Sequence, residues 1–421
     1  MSIKNTETQL QLNQVARRTG FFKFLVAFFV LIITADNISY LLMRNDANVS
    51  IYQKTLLSTI TVVSLVFFLK WRRSDRICFY FFIFLLAKLI LESFIAYGSF
   101  LVYPSVVAVI YPFLYVYFVK NLFRKLKIDI FGILLVSIFI GYFIFMLMYG
   151  EDFGFSNTPL VYDETGPFSG DTRILHANSV LLVVLPFLYF VNKIVFGRKS
   201  FIAISGFAVS LGVILIHQHR TVWVTTIFSS LILIFLKGKA KNVIRKLLFS
   251  LLWFLIVFVI LIQIIPGFSN LLVERFSDVF DPLRDASTSG FRFLQILSYL
   301  NYFIQKPIFG WTFSGFELSN PFITYWEEGT GHHFHNSYIE VLFYFGIIGC
   351  LMKYYPLYSV AKKINKQVSD QSKILGAFCI SGFLYSFSYV PPLIFWGIVG
   401  VCLYNIEKDL KNLEIAKQNN G

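Results

Sequence analysis

Charge is scarce in this sequence. Of its 421 residues, 14% are charged and 57% are hydrophobic, and the mean hydropathy is +0.68. Soluble domains carry ~25% charged residues, so a soluble domain is excluded and an integral membrane protein is expected. Cysteine is rare as well. Cys78, Cys350, Cys379 and Cys402 lie in or beside apolar runs, where a thiol acts as a small buried group, and no disulfide framework is available to an outer loop. There is no HExxH spacing, no internal repeat and no low-complexity tract, so neither a strong metal motif nor a repeat architecture is indicated. The first apolar run follows a polar tail and lacks a small-residue cleavage site, so it is expected to remain as an anchor.

What the sequence does have is long apolar runs. A helix crosses the hydrocarbon core in about 20 residues, and about twelve segments qualify. They lie near 21–43, 51–69, 77–97, 101–119, 128–149, 175–196, 200–218, 221–236, 247–266, 335–356, 372–390 and 391–406. The expected organisation is helices one to nine within 1–266, an outer loop over 267–334, the last three helices within 335–406, and a tail over 407–421.

Lysine and arginine orient this array, because short cytoplasmic loops hold an excess of positive charge. Alternate loops are basic: Arg17 and Arg18 precede the first span, Arg72, Arg73 and Arg76 follow the second, and Lys120, Arg124, Lys125 and Lys127 follow the fourth. Lys193, Lys237, Lys353, Lys363, Lys408 and Lys411 continue the series. Both termini are therefore expected in the cytoplasm. The net charge of +14 reflects orientation, and no nucleic-acid partner is implied. All six histidines, namely His176, His217, His219, His332, His333 and His335, fall on the opposite face.

Outer-face chemistry is expected there, since histidine is the side chain most easily tuned as a proton acceptor near neutral pH. His335 precedes Asn336-Ser337-Tyr338-Ile339-Glu340 and an apolar run. That places it at the opening turn of a helix, whose dipole favours the neutral ring; headgroup contact or capping is the plainer role. Arg220 sits in the turn His217-Gln218-His219-Arg220-Thr221 between two spans. It can fork onto phosphate oxygens or snorkel to headgroups. Residues 291–305 are expected to form an amphipathic helix that stops at Lys306-Pro307, with Arg292, Gln295, Tyr299 and Tyr302 on its polar side, looking out from the membrane surface. His217, His219, His332 and His333 are an alternative metal set.

Three stretches together resemble the O-antigen ligase and polymerase superfamily: His219-Arg220-Thr221, the Arg292 helix ending in Pro307-Ile308-Phe309-Gly310, and His335-Asn336 opening a helix that continues to Gly346-Ile347-Ile348-Gly349. The family more often has Ser or Thr where His219 stands. The resemblance covers about residues 175–400 and implies an all-α integral membrane protein similar to C-type glycosyltransferases, with a large helical periplasmic loop. It implies glycan transfer from undecaprenyl diphosphate at the periplasmic face of the bacterial inner membrane, without metal or other cofactor and with inversion. His335 is then the general base and Arg220 and Arg292 the diphosphate clamp. Asn336, His219, His176 and Tyr299 are supporting candidates, and Trp311 and Trp326 are sugar-stacking or interface-anchoring candidates. The partners are the lipid-linked donor, a glycan acceptor and the bilayer, with a chain-length regulator as a further candidate. Polymerase and ligase need the same machinery; richness in Phe and Tyr inclines the reading to polymerase. A flippase or transporter is the rival class, motivated by Asp36, Lys54, Lys88 and Glu92 within or near spans, of which Lys88 and Glu92 are spaced to pair.

Overall fold

The structure is a computed structural model that describes residues 20–43, 46–99, 104–149, 175–197, 200–217, 219–238, scattered positions within 252–263, 288–321, 332, 334–365 and 367–419. The described residues are helical throughout apart from turns and caps. The helices are α1 (Gly20–Thr34), α2 (Asp36–Met43), α3 (Asp46–Phe67), α4 (Arg73–Tyr97), α5 (Pro104–Leu126), α6 (Phe131–Tyr149), α7 (Ala177–Phe196), α8 (Phe201–Ile216), α9 (Arg220–Lys237), α10 (Thr288–Gln305), α11 (Thr312–Phe316), α12 (Ser337–Lys363), α13 (Asp370–Tyr385) and α14 (Leu393–Asn419).

Helices occupy every expected span except the ninth, which lies mostly outside the described residues. By length and apolarity five of them can cross a membrane, α4, α6, α7, α9 and α12, and six if α1 and α2 count as one bent span. Among the described residues, the other expected spans do not pass this test of length and apolarity. One reason is visible at the first span, which is no straight rod: α1 and α2 meet at 104° across Ala35. The Thr34 hydroxyl donates to the Leu31 carbonyl at 2.5 Å and Ser39 donates to the Ile33 carbonyl, so the bend leaves these carbonyls satisfied inside an apolar bundle.

The bundle turns its oily side chains outward as well as inward. Leu147 and Phe201 are each 83% exposed on helix flanks, which fits helices solvated by hydrocarbon rather than water. The interior is centred on α13 and α14. The first packs on α7, α9, α12 and α14, and the second lies along α5. Leu393 to Tyr404 is buried almost without interruption, with Trp396 fully enclosed.

Two of the sequence motifs turn out to be a single structural device. α12 breaks at Gly346 (φ 64°, ψ −163°), and the Pro-x-x-Gly loop after α10 fills the break. Ile347 N–H donates to the Pro307 carbonyl at 2.8 Å and Ile348 N–H to the Ile308 carbonyl at 3.2 Å; the Phe343 carbonyl in turn accepts from Trp311 N–H at 2.9 Å. A broken helix at membrane depth needs such substitute partners, because hydrocarbon offers none. The contact also demands glycine on both sides. A Cβ on Gly346 would lie 2.3 Å from the Ile308 carbonyl oxygen, and one on Gly310 (φ +67°) would lie 2.5 Å from Phe345 N.

The break folds α12 back on itself. Thirteen helical residues span about 20 Å, yet Lys353 Nζ reaches Glu340 Oε2 at 3.2 Å and Ser337 Oγ at 3.0 Å. Lys353, grouped with the cytoplasmic lysines on sequence, is instead 2% exposed inside the bundle, where an unpaired ammonium would be prohibitive. Lys88 and Glu92 do pair, and Glu92 also accepts from Thr312 Oγ1 and, at 3.0 Å, from Phe313 N–H, which pins α11 to α4. Asp36 takes part in interactions of its own, while the side chain of Lys54 lies outside the described residues.

Gly346→Ala and Gly310→Ala should each destabilise the protein by at least about 1–3 kcal/mol, since each combines a strained φ with a backbone clash. A lowered thermal-unfolding midpoint in detergent would register it. An unchanged midpoint in both would mean that the loop and the break do not interlock.

Candidate functional site

Three helix N-termini meet at the C-terminal end of α13. α7 is capped by His176, whose Nδ1 accepts from Asn178 N–H at 3.2 Å. The end of α13 is tied to this helix by Tyr385, whose hydroxyl donates to Asn178 Oδ1 at 2.8 Å. α9 begins beside α7, because His219 Nε2 donates to the Leu175 carbonyl at 2.9 Å. α12 is capped by Asn336, whose Oδ1 accepts from Tyr338 N–H at 2.9 Å and Ile339 N–H at 3.1 Å. Its first turn is fixed to α13 by Ser337 N–H donating to the Ser386 carbonyl at 2.9 Å. Each helix start projects partial positive charge, and their convergence makes a region suited to anions.

Tyr389 lies at the centre, four residues beyond Tyr385, whose ring it stacks on at 5.3 Å. The edges of His176 and His219 meet its ring at 5.6 and 6.4 Å, and the Arg292 guanidinium lies 4.8 Å from its centroid. Arg292 comes from α10 and Arg220 is the first residue of α9, directly after His219. The structure thus brings Arg292, His176 and His219 onto one aromatic platform, and Arg220 follows His219 in the chain. Asp36, at the start of α2, is within electrostatic reach of Tyr385, as is Arg292.

His335 joins this group through α10. Its backbone N–H donates to Gln295 Oε1 at 3.2 Å, and Gln295 lies one turn after Arg292. His335 precedes the cap, so it flanks the helix start rather than forming its first turn. Its side chain is half-buried.

The orientation of α10 corrects the expectation. Its polar side faces the protein: Gln295 and Tyr299 are 1% exposed, whereas Phe293, Leu297 and Ile304 are 50%, 48% and 62% exposed. Arg292 therefore points into the site rather than out from the membrane surface. Tyr299 is a buried support, its hydroxyl bonded to His332 Nδ1, and burial raises its pKa. His332 Nε2 lies 2.9 Å from the Gly315 carbonyl. A carbonyl only accepts, so Nε2 carries the proton and Nδ1 accepts from Tyr299. Burial holds this imidazole neutral, with its pKa lowered to about 4. With both nitrogens engaged, His332 locks α10 to α11 and has no free lone pair for a metal. His217 is fully buried against the Tyr142 hydroxyl at 3.1 Å and fixes the turn before Arg220.

The remaining candidates divide. One face of Trp311 is covered by Lys306 Nζ at 4.1 Å, and its indole N–H donates to the Tyr302 carbonyl at 2.8 Å, so it anchors the loop. Trp326 and His333 lie outside the described residues. Tyr385, Tyr389 and the bond from His335 to Gln295 escaped the sequence reading. A usable signal was the pair of tyrosines one helical turn apart just before Pro391-Pro392, where a span must end.

Among known families, residues 205–353 match the model described as O-Antigen ligase. No curated protein matches the chain. The matched stretch contains Arg220, Arg292 and His335 and ends before Tyr385 and Tyr389.

Between the unfolded value near 6.5 and the folded value of about 4, the unfolded chain binds more protons at His332 than the folded one. The stability that His332 provides is therefore complete above pH ~6.5 and is lost as pH falls toward 4. Protection factors over 312–316, corrected for the intrinsic pH dependence of exchange, should fall as pH drops through that window in the wild type and stay flat in His332→Asn.

Proposed function

With residues 205–353 supporting membership of the O-antigen ligase and polymerase superfamily, we propose that this protein transfers a glycan from undecaprenyl diphosphate to a sugar hydroxyl at the periplasmic face of the inner membrane, polymerising O-antigen or related repeat units. The observation that carries this reading is the convergence of three helix N-termini with Arg292 over Tyr389 and Arg220 alongside. That much fixed positive charge at the edge of an apolar bundle suits a diphosphate delivered from the bilayer.

In the reaction the acceptor hydroxyl attacks the anomeric carbon and the bond from that carbon to the diphosphate oxygen breaks. The new glycosidic bond forms with inversion. The hydroxyl proton passes to His335, while the charge that grows on the leaving diphosphate is met by Arg220, Arg292 and the helix ends. Tyr389 holds the Arg292 guanidinium flat between substrate and platform, and Gln295 fixes the backbone from which His335 projects. The positive charge a divalent ion would otherwise supply is here provided by side chains and helix dipoles. The ligase reaction, transfer to lipid A-core, would use the same groups with a different acceptor.

His335→Ala should lower turnover at least ~100-fold in reconstituted membranes while donor binding persists; near-normal turnover would remove it as the base. Arg220→Ala and Arg292→Ala should each lower kcat/KM for the donor by about 100-fold, and unchanged donor use in both would refute the clamp. Tyr389→Phe should retain activity and Tyr389→Ala should behave like Arg292→Ala. A deletion strain separates the acceptors: core capped with single repeats means a lost polymerase, and bare core with lipid-linked polymer a lost ligase.

A further inference from the structure

The opposite end of the bundle carries a second concentration of positive charge. Asp75 and Asp129 lie near the ends of α4 and α6, and Asp75 is about 26 Å along α4 from Glu92, at 1.5 Å per residue. Here Lys120 bridges Asp75 and Glu407, at 2.8 Å to each. Arg124, Arg72 and Lys363 also reach Glu407, at 2.8, 3.0 and 3.3 Å. These four cations outnumber their two carboxylates; against the opposing effect of burial, Lys120, with Lys363 and Arg72, holds the Glu407 carboxyl down at about pKa 2.

A cleft of about 370 Å³ opens beside this network, and Lys127, Lys408 and Lys411 line it together with Arg72 and Arg124. Tyr404 also lines the cleft, and Asp129, within electrostatic reach of it, accepts from Phe131 N–H at 2.9 Å and the Gln371 amide at 2.8 Å. Against one lining carboxylate, Glu407, five cations thus line the cleft. Its volume is within the ~300–1,000 Å³ of small-ligand sites. The apolar run of α14 ends at Ile406, immediately before Glu407 and Lys408, so the cleft sits at headgroup level.

We propose that this cleft binds a phosphate-bearing anion, the phosphodiester headgroup of an anionic phospholipid, and that the bound headgroup completes the charge balance holding α4, α5 and α14 together. The site is separate from the reaction centre and does not depend on the function assigned there. Its position where an apolar helix meets polar surface favours a lipid over free phosphate.

The full chain, delipidated in neutral detergent, would be titrated with micelles containing phosphatidylglycerol, with phosphatidylcholine micelles, and with inorganic phosphate, reading the unfolding midpoint and the bound mass by native mass spectrometry. Phosphatidylglycerol should raise the midpoint and stay bound, and phosphatidylcholine should not. Lys408 and Lys411 are exposed and outside the ion-pair network, so Lys408→Gln/Lys411→Gln should fold normally and bind the anionic lipid roughly thirty-fold more weakly. An equal response to inorganic phosphate would keep the anion site and assign it a soluble occupant. No response to either anion, or a response undiminished in the double variant, would overturn the proposal.

Discussion

The exchange of backbone hydrogen bonds between the Pro307–Gly310 loop and the break at Gly346 is the constraint from which the rest of the site follows. A helix cannot stop inside hydrocarbon unless something replaces its lost partners. Here the replacement is a loop from the preceding amphipathic helix, so α10 and α12 cannot be placed independently. Once they are coupled, Arg292 and His335, 43 residues apart, have a fixed relation through Gln295. The returning half of α12 then brings Lys353 to Glu340 and Ser337, which ties the first turn after the Asn336 cap to the bundle interior.

The histidines divide by environment rather than by sequence position. His217 and His332 are absorbed by tyrosine hydroxyls and fix turns, and His176 and His219 cap or join helix starts around Tyr389. Among the described histidines, His335 stands just outside a capped helix, its backbone tied to Gln295 of α10. At His332, where burial removes the charged form, a residue type that titrates near neutrality serves as a neutral donor and acceptor.

Much of the architecture was legible from hydropathy. The apolar runs locate the helices because hydrocarbon solvation imposes length and composition on each. Periodicity placed Arg292, Gln295, Tyr299 and Tyr302 on one face of α10, but it could not say which face points inward. In water the apolar face turns inward, and beside lipid the rule inverts, as exposed Phe293 and buried Gln295 record. The glycines of the two motifs were legible as spacing and not as one joint, since a backbone interlock across 36 residues leaves no periodic trace. Lys353 was misplaced because counting lysines assumes solvated ones. Tyr389 went unread because its meaning lies in what converges on it.

The place of Tyr389 has one more consequence. The platform beneath Arg292 belongs to a stretch of chain outside the segment that matches the family, so the site is not a portable module. Grafting the matched segment into a protein of the O-antigen ligase family would carry the arginines and the histidine but leave their aromatic floor behind. The two stretches are therefore bound to vary in concert, as two halves of a hinge pin must.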